Sequence, residues 1–367
     1  MKYYSLKNIL QKDCIYNMII GERSNGKTYS VLEYGIKKCF NEKTGERTSH
    51  DMAIIRRMED DFKQNRASQV FASLINNGLV EKYSKGRFNT IDYYSRKWYF
   101  AYYDTDKGKL IRDAKPFCYA FAISTMEHDK STSYPNVETI LFDEFLTRHY
   151  YLAQEFVLFT NVLSTIIRER DNVKIFMLGN TVNKYCPYFE EMGLKHIDKM
   201  KSGDIDVYRY GDSGLSIAVE YASATTKGKK SDKYFAFDNP KLKMITEGEW
   251  EIDIYPHLPT RYTPKDILFN YFIVFGKETL HCEIIEIDGS LFTYIHRKTT
   301  PIKDEDTDIV FSLTENTHKS NWRKNITKVY DRIGKKIYDF FLKDKVFYQT
   351  NEVGEVVMNY LKECGKH

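Results

Sequence analysis

The feature that most constrains this chain is a glycine-containing loop of eight residues near its N-terminus. An apolar run at 16–20 leads into the loop, and a stretch with helical spacing at 28–40 follows it. The loop matches the pattern G-x-x-x-x-G-K-[ST] at every position, and its members are Gly21, Glu22, Arg23, Ser24, Asn25, Gly26, Lys27 and Thr28. In such a loop, backbone N–H groups and the helix N-terminus surround a phosphate group. The pattern therefore predicts a P-loop that binds the phosphates of ATP.

Two side chains at the end of the loop have roles that follow from their chemistry. The ammonium group of Lys27 can reach the β and γ phosphates, and the hydroxyl of Thr28 can bind Mg²⁺. ATP and Mg²⁺ are therefore the expected cofactors. An ordinary strand–turn–helix unit is the alternative, and the complete pattern in this context argues against it.

A second apolar run, at 140–142, is followed directly by two acids, Asp143 and Glu144. Strand ends often carry solvated acids, but a P-loop upstream gives this pair a function. Asp143 is expected to bind Mg²⁺, and Glu144 to act as the general base or to position the attacking water. The pair predicts an ATP hydrolase. The spacing leaves room for a strand at 52–55 between the two motif strands of the sheet.

Three further polar residues are candidates for the same site. Asn180 follows an apolar run at 173–178 and either senses the γ phosphate or forms only an Asx turn. Arg168 and Arg170 follow a helical stretch at 156–167. Residues two apart on a helix point in different directions, so at most one of them serves a given site. One could be an arginine finger that acts on a neighbouring subunit, and the alternative is that both form surface ion pairs.

The alternation of strands and helices predicts an α/β domain over residues 1–207. It would be a P-loop NTPase of the ASCE type, with an additional strand and a catalytic glutamate in a mostly parallel sheet. Residues 208–235 include a polar, charged stretch and are the expected linker.

A smaller α+β domain is expected over residues 236–367. Consecutive strands are predicted there at 269–275, 280–287 and 291–296, and Asp288-Gly289 between the last two is a strong hairpin signal. A basic helix is predicted at about 321–342. It could be a solvated face or a surface that contacts phosphates.

The composition adds limits to these predictions. The net charge of +4 is too small to establish a nucleic-acid partner by itself. The six cysteines lie far apart without a CxxC pair, which argues against a zinc site and against a disulfide framework. The N-terminal residues have no apolar signal segment, and no run is long enough to span a membrane. We therefore expect a cytoplasmic protein without a membrane partner.

Several of these segments match one family. They are 20–28, Ile54-Ile55-Arg56-Arg57, 133–145, 168–170, 178–180 and 187–189. With them, the first 190 residues or so resemble the DNA-packaging ATPases, large-terminase-like motors, of small tailed bacteriophages that replicate by protein priming.

The resemblance implies a motor that hydrolyses ATP to move double-stranded genomic DNA into a procapsid through its portal. It implies a homo-oligomer, a pentameric ring, in the host cell cytoplasm and transiently docked on the portal vertex, with a packaging RNA as a possible further partner. By position, Arg23 resembles the P-loop arginine of these motors, Glu144 their catalytic glutamate and Arg168 their trans-acting finger. Lys130 resembles a pore-lining lysine that touches DNA. Arg56 is a second candidate DNA contact, although acidic residues follow it at 59–61.

In related terminases the second domain is an RNase H-like nuclease with acidic metal ligands. Here the strand at 269–275 contains no acid, Asp288 lies in a turn, and Glu283 and Glu286 fall on opposite faces by strand alternation. We therefore expect a vestigial RNase H-like domain without nuclease activity. The alternative functions are another P-loop nucleic-acid translocase or helicase, or an ATP-gated assembly protein. Glu144 argues against the last, because a pure binding module needs no water activator.

Overall fold

The computed structural model describes residues 4–22, 25–128, 132–147, 151–152, 154–180, 186–222, 255–304, 306–313 and 321–365. The predicted site residues Arg23, Ser24 and Lys130 lie outside the described residues. The chain divides into two compact units, Met1–Glu251 and Ile252–His367. Within the described ranges, no helix has both the length and the apolar character needed to cross a membrane.

The first unit is built on a ten-stranded sheet. Its order is β3-β4-β6-β2-β7-β8-β1-β10-β9, and β5 pairs with β4. The central strands from β6 to β10 in this order are parallel, whereas β4 and β9 join antiparallel at the two sides. The strands are β1 Tyr16–Gly21, β2 Asp51–Arg56, β3 Thr90–Tyr94, β4 Lys97–Asp104, β5 Lys109–Arg112, β6 Cys118–Ala122, β7 Val137–Asp143, β8 Lys174–Asn180, β9 Ile205–Arg209 and β10 Ser216–Tyr221.

Helices cover both faces of this sheet, so its central strands are apolar along almost their whole length. Met18 of β1 packs with Phe159 in the core on one face, whereas Ile19 packs with Val31 in the core on the other. The sequence prediction of a mixed α/β fold with a mostly parallel sheet is confirmed. The helices are α1 Lys7–Leu10, α2 Lys27–Lys38, α3 Gln64–Ala67, α4 Ala72–Asn76, α5 Leu79–Ser84, α6 Glu155–Ile167 and α7 Pro187–Glu191, with 3₁₀ turns at Glu59–Phe62, Ile123–His128 and Ile197–Lys199.

The strand that lies between β1 and β7 is β8, and the expectation that the strand at 52–55 would lie there is wrong. β8 pairs in parallel with β1 on one side and with β7 on the other. β2 pairs with β7 on its far side and continues to β6. The chain leaves β7, crosses over through α6 and returns as β8 directly beside β1. β8 therefore occupies the position that was expected for β2.

The sheet also extends beyond residue 207, where the sequence placed the end of the first domain. β10 pairs in parallel with β1, from Tyr16 opposite Ile217 to Ile20 opposite Tyr221. The apolar residues of β10 are buried, so residues 216–221 of the expected linker at 208–235 form a strand of the first unit's sheet. The remainder of that linker, from residue 223, and the expected start of the second domain at 236 lie outside the described residues.

The second unit contains a six-stranded sheet in the order β15-β14-β11-β12-β13-β16. β11, β12 and β13 are successive antiparallel neighbours, and β14 lies parallel to β11 on its other side. The predicted hairpin is confirmed, because Asp288 and Gly289 at its turn have φ of +49° and +74°. The elements are β11 Ile267–Phe275, β12 Glu278–Ile287, β13 Ser290–Arg297, β14 Ile309–Ser312, β15 Trp322–Arg323, β16 Val346–Tyr348, α8 Arg332–Leu342 and α9 Asn351–Cys364, with 3₁₀ turns at Pro264–Asp266 and Ile326–Lys328.

The basic helix predicted at 321–342 is wrong in its first half. The segment begins with β15 and the 3₁₀ turn, and α8 starts only at Arg332. The carboxylate of Asp331 fixes this start, because it accepts hydrogen bonds from the backbone N–H groups of Ile333 and Gly334.

Candidate active site

The candidate site lies where the carboxyl ends of three neighbouring parallel strands meet. β1 ends at Gly21, β8 at Asn180 and β7 at Asp143. Gly21 is opposite Asn180, and Asp143 is opposite Leu178. Open α/β sheets bind ligands outside the carboxyl ends of their strands, so residues that are far apart in sequence converge where a ligand is expected.

A polar cavity of about 490 Å³ opens at the N-terminus of α2. Gly26, the residue before the helix, has φ of +92°, a backbone conformation that a side chain would strain. On one side the cavity is lined by the glycine loop, and on another by α4 and the residue after it. The lining residues are Asn25, Gly26, Lys27, Thr28, Tyr29, Ser73, Asn76, Asn77 and Asn180.

The buried side chain of Lys27 is held by oxygens of its own loop. Its Nζ donates to the carbonyls of Gly21 at 3.2 Å and Glu22 at 2.5 Å, and lies 3.4 Å from Oδ1 of Asn180. Burial lowers the pKa of Lys27 to about 8, although the charges of Asp143 and Glu22 oppose this shift. A cation that is buried among neutral carbonyls is better stabilised by an anion, and a phosphate in the cavity would supply one.

Thr28 and Asp143 place two hard oxygen ligands side by side. The hydroxyl of Thr28 donates to Oδ1 of Asp143 at 3.3 Å. Burial raises the pKa of Asp143, and Arg56 and the Thr28 hydroxyl offset part of that rise. A hydroxyl and a carboxylate suit Mg²⁺, which prefers oxygen ligands. In the same cavity, the amide Nδ2 of Asn25 is buried and has no hydrogen-bond partner among the residues that the structure describes. This donor set fits a nucleotide phosphate with its magnesium ion.

Glu144 follows β7 in a strained backbone conformation. Its φ is +61°, in the left-handed region that a glutamate rarely adopts. The backbone N–H of the next residue, Phe145, donates to the carbonyl of Leu178 at 3.1 Å, which fixes the turn against β8. The Glu144 side chain is 65% exposed. Strain of this kind is concentrated at functional sites, and here it accompanies a largely exposed carboxylate beside the end of β7.

Arg56 is a site residue that sequence reasoning assigned elsewhere, as a candidate DNA contact. It ends β2, the strand beside β7, and its guanidinium bridges the two acids. Nη2 donates to Oδ2 of Asp143 at 2.8 Å, and Nη1 to Oε2 of Glu144 at 2.9 Å. The sequence indicated that Arg56 lies at the end of a strand. It did not indicate that this strand, β2, lies beside β7.

Arg57 and Glu155 hold the turn after β7 in place. Arg57 donates through Nε to the buried carboxylate of Glu155 at 2.8 Å and through Nη2 to the carbonyl of Phe145 at 2.7 Å. Glu155 also accepts from the hydroxyl of Tyr188 at 2.9 Å. Sequence reasoning missed this network, because its members come from β2, α6 and α7.

Arg168 and Arg170 have different environments. Arg168 directly follows α6 with φ of +53°, is exposed, and donates to the carbonyl of Thr132 at 3.1 Å. Arg170 donates to the carbonyls of Val137, Tyr134 and Ile166 at 2.6, 3.1 and 2.9 Å. Arg170 therefore fixes the start of β7 to the end of α6, and Arg168 is the one whose side chain faces outward.

Fold and site together define an α/β protein with a large, mostly parallel sheet and a polar cavity at the carboxyl ends of its central strands. The chain belongs to the family of podovirus DNA encapsidation proteins (Gp16), whose model matches residues 1–363. This match confirms the resemblance to DNA-packaging proteins that was drawn from the sequence motifs.

Relatives and solved structures agree with the family. The chain is 28% identical over 192 residues to the DNA packaging protein of Bacillus phage phi29 and 30% identical over 190 residues to that of Bacillus phage B103. These matches cover 51% of this chain and span about half the length of the relatives, 49% and 50%. The fold is similar to the bacteriophage Phi-29 viral genome packaging motor assembly, with 20% identity, a TM-score of 0.56 and 99% of both chains covered. It is also similar to the Phi-28 gp11 DNA packaging motor, with 19% identity, a TM-score of 0.52 and coverage of 99% of this chain and 97% of the other.

Proposed function

We propose that this chain is the ATPase of a viral DNA-packaging motor, which hydrolyses ATP to move double-stranded DNA into a procapsid through its portal. One observation carries the proposal. In a member of the DNA encapsidation family, Lys27, Thr28, Asp143, Glu144 and Asn180 converge at the ends of three adjacent strands. This is the set of groups that phosphoryl transfer to water requires.

The glycine loop binds the nucleotide in this proposal. Backbone N–H groups at the start of α2 hold the phosphates, and Lys27 moves its hydrogen bonds from the carbonyls of Gly21 and Glu22 to phosphate oxygens. Asn180, at 3.4 Å from Lys27, then lies beside the γ phosphate and senses its presence. The outer wall formed by Ser73, Asn76 and Asn77 faces the nucleoside.

Thr28 and Asp143 would hold a magnesium ion, which would neutralise charge on the phosphates. Glu144 accepts the proton of the attacking water. Arg56 bridges Asp143 and Glu144 and reduces their mutual repulsion. Arg56 would have to release Glu144 before that carboxylate could accept a proton.

The motor proposal includes a homo-oligomeric ring, pentameric as in the resemblance, docked on the portal of a procapsid in the host cytoplasm. The exposed Arg168 at the end of α6 is the proposed finger for the neighbouring subunit's site. Lys130 is the proposed DNA contact, and Arg56 a second one when it leaves the carboxylates. A packaging RNA is a possible further partner. The similarity in fold to a solved genome packaging motor assembly supports an assembled motor.

For the second unit we propose an RNase H-like fold without nuclease activity. The antiparallel meander β13-β12-β11, continued by parallel β14 and β15, supports that fold. Two-metal cleavage needs clustered carboxylates. Neither β11 nor β14 carries an acid, and among the described residues no three acids form a cluster that could hold a metal.

The test of the proposed function is ATP-dependent protection of double-stranded DNA from an added nuclease, with purified procapsids and the full chain. Protection that requires ATP, procapsids and an intact Glu144 supports the motor. ATP-driven separation of duplex strands without procapsids would instead establish a helicase. Binding of ATP with no turnover under any of these conditions would establish an assembly protein.

A further inference from the structure

Three potential metal ligands lie together on one face of the sheet in the second unit. His281 of β12 is directly opposite His296 of β13. Glu283 lies two residues after His281 on the same strand, so its side chain is on the same face. One ligand atom from each of these three side chains lies within 4.8 Å of the other two.

Neighbouring groups hold all three side chains in this arrangement. Nδ1 of His296 is 3.2 Å from the carbonyl of Arg297, and its Nε2 is 3.6 Å from Oε2 of Glu283. Nε2 of His281 is 2.8 Å from Oδ1 of Asn270, and Tyr262 donates its hydroxyl to Glu283. Metal-binding histidines usually donate their other N–H to an oxygen in this way, which fixes the ring and its tautomer.

The composition of the cluster selects the kind of ion. Two imidazoles and one carboxylate are ligands that zinc accepts, at distances of about 2.0–2.2 Å, with a fourth position left for water. Mg²⁺ and Ca²⁺ prefer sites made of oxygen alone. The ligand atoms already lie within 4.8 Å of one another, so only a small further approach would bring them around one ion.

We propose that His281, Glu283 and His296 bind one divalent transition-metal ion, with Zn²⁺ the best match. The ion ties β12 to β13 across their paired strands and is held in place through Asn270 of β11. All three ligands belong to the second unit, and they differ in type from the oxygen ligands proposed for magnesium in the first. The alternative is a trio linked only by hydrogen bonds, with no affinity for metal.

The test measures metal binding by the full chain directly. The protein is stripped with a chelator, equilibrated with Zn²⁺, and its metal content is measured by mass spectrometry. One zinc ion per chain is expected from this site. Co²⁺ in place of Zn²⁺ should give the visible absorption of a four-coordinate nitrogen and oxygen site.

Variants assign the ion to these residues. Loss of a neighbour that orients a metal ligand typically lowers affinity by roughly 10–100-fold, and this is the effect that we expect for Asn270→Ala. A larger loss of zinc affinity is expected for each change of a ligand itself: His281→Ala, His296→Ala and the isosteric Glu283→Gln. His196→Ala, at an exposed histidine of the first unit, should bind zinc as the unchanged chain does.

Two results would overturn the proposal. One is that the unchanged chain takes up no stoichiometric Zn²⁺ at micromolar concentrations. The other is that Glu283→Gln and the histidine variants retain full affinity. If a histidine variant does not fold, Glu283→Gln and the cobalt spectrum of the unchanged chain still decide the outcome.

Discussion

The two units bring their functional side chains together in different ways. In the first, Gly21, Asp143 and Asn180 meet because parallel strands end at one edge of a sheet. In the second, His281 and His296 meet on one face of a sheet, as directly opposite residues of two antiparallel strands. A strand-end site leaves a sequence signature, because each strand is an apolar run followed by a polar residue. A site on a sheet face leaves none, because its members are alternate residues within strands.

If this comparison is right, changes at the strand-end site should alter ATP turnover and leave zinc binding by the second unit unchanged.

The largest effect on ATP turnover is expected for Arg168. An arginine finger acting between subunits contributes a factor of about 10³–10⁵ to the rate, so Arg168→Ala should lower kcat by that order with little change in ATP affinity. Steady-state ATPase assays on the assembled protein measure both.

Mixing two inactive variants tests whether each ATPase site is shared between neighbouring subunits. Arg168→Ala protein combined with Glu144→Gln protein should regain activity, since some interfaces then pair an intact Glu144 with an intact Arg168. Arg170→Ala is the control, and it should lower stability because Arg170 donates to three backbone carbonyls. No recovery in mixtures that still assemble would show that Arg168 does not act between subunits.

Glu144→Gln separates binding from hydrolysis. General bases contribute about 10²–10⁴-fold, so kcat should fall by that order while MgATP affinity stays within a few-fold. Single-turnover hydrolysis and equilibrium binding measure the two quantities. Lost binding with an unchanged single-turnover rate would contradict the role given to Glu144.

Glu155→Gln tests the network that supports the turn at Glu144. Removing one partner of a buried ion pair costs about 3–5 kcal/mol, and Glu155 is fully buried against Arg57. The free energy of unfolding should fall by about 3 kcal/mol in denaturant titrations. The exposed Glu190→Gln on α7 should change it by no more than about 0.5 kcal/mol. Equal effects of the two substitutions would show that Glu155 does not stabilise the protein through its ion pair with Arg57.

The smallest effect is a proton taken up on nucleotide binding. With the pKa of Lys27 lowered to about 8, about half of this side chain is uncharged at pH 8 in the nucleotide-free protein. Phosphate favours the charged form, so MgATP binding should take up about half a proton at pH 8 and almost none at pH 6.5. Affinity should therefore fall as the pH rises through 8. Calorimetry in buffers of different ionisation enthalpy measures the uptake, and none at pH 8 would show that Lys27 is already charged.

The lowered pKa of Lys27 also makes the stability of the protein depend on pH. Because the pKa of Lys27 is lower in the folded protein than its ordinary value of 10.5, the unfolded chain binds more protons between pH 8 and 10.5. The contribution of Lys27 to stability therefore rises with pH across that window.

The sequence predicted strands such as β1, β7 and β8, because each is a contiguous apolar run, but not β10, which lies within the expected linker. The glycine loop and the two acids were open to prediction for the same reason, since each is a contiguous motif. The sequence placed the wrong strand between β1 and β7, because strand order depends on where the crossover through α6 returns. It did not predict that Arg56 bridges Asp143 and Glu144, and it missed Glu155, whose partner Arg57 is 98 residues away. Cysteine spacing argued against zinc, yet the zinc ligands proposed here are histidines and a glutamate brought together only by strand pairing.

The measurement that tests the central claim most directly is MgATP binding and turnover by Lys27→Ala beside Lys37→Ala. Both lysines belong to α2, but Lys27 lines the cavity, and Lys37 is half exposed in an ion pair with Glu42. We predict that Lys27→Ala lowers turnover by at least about 10²-fold, the loss typical of one group that stabilises developing charge. Lys37→Ala should retain the activity of the unchanged chain. Near-normal ATP turnover by Lys27→Ala would contradict the assignment of this cavity as the ATPase site.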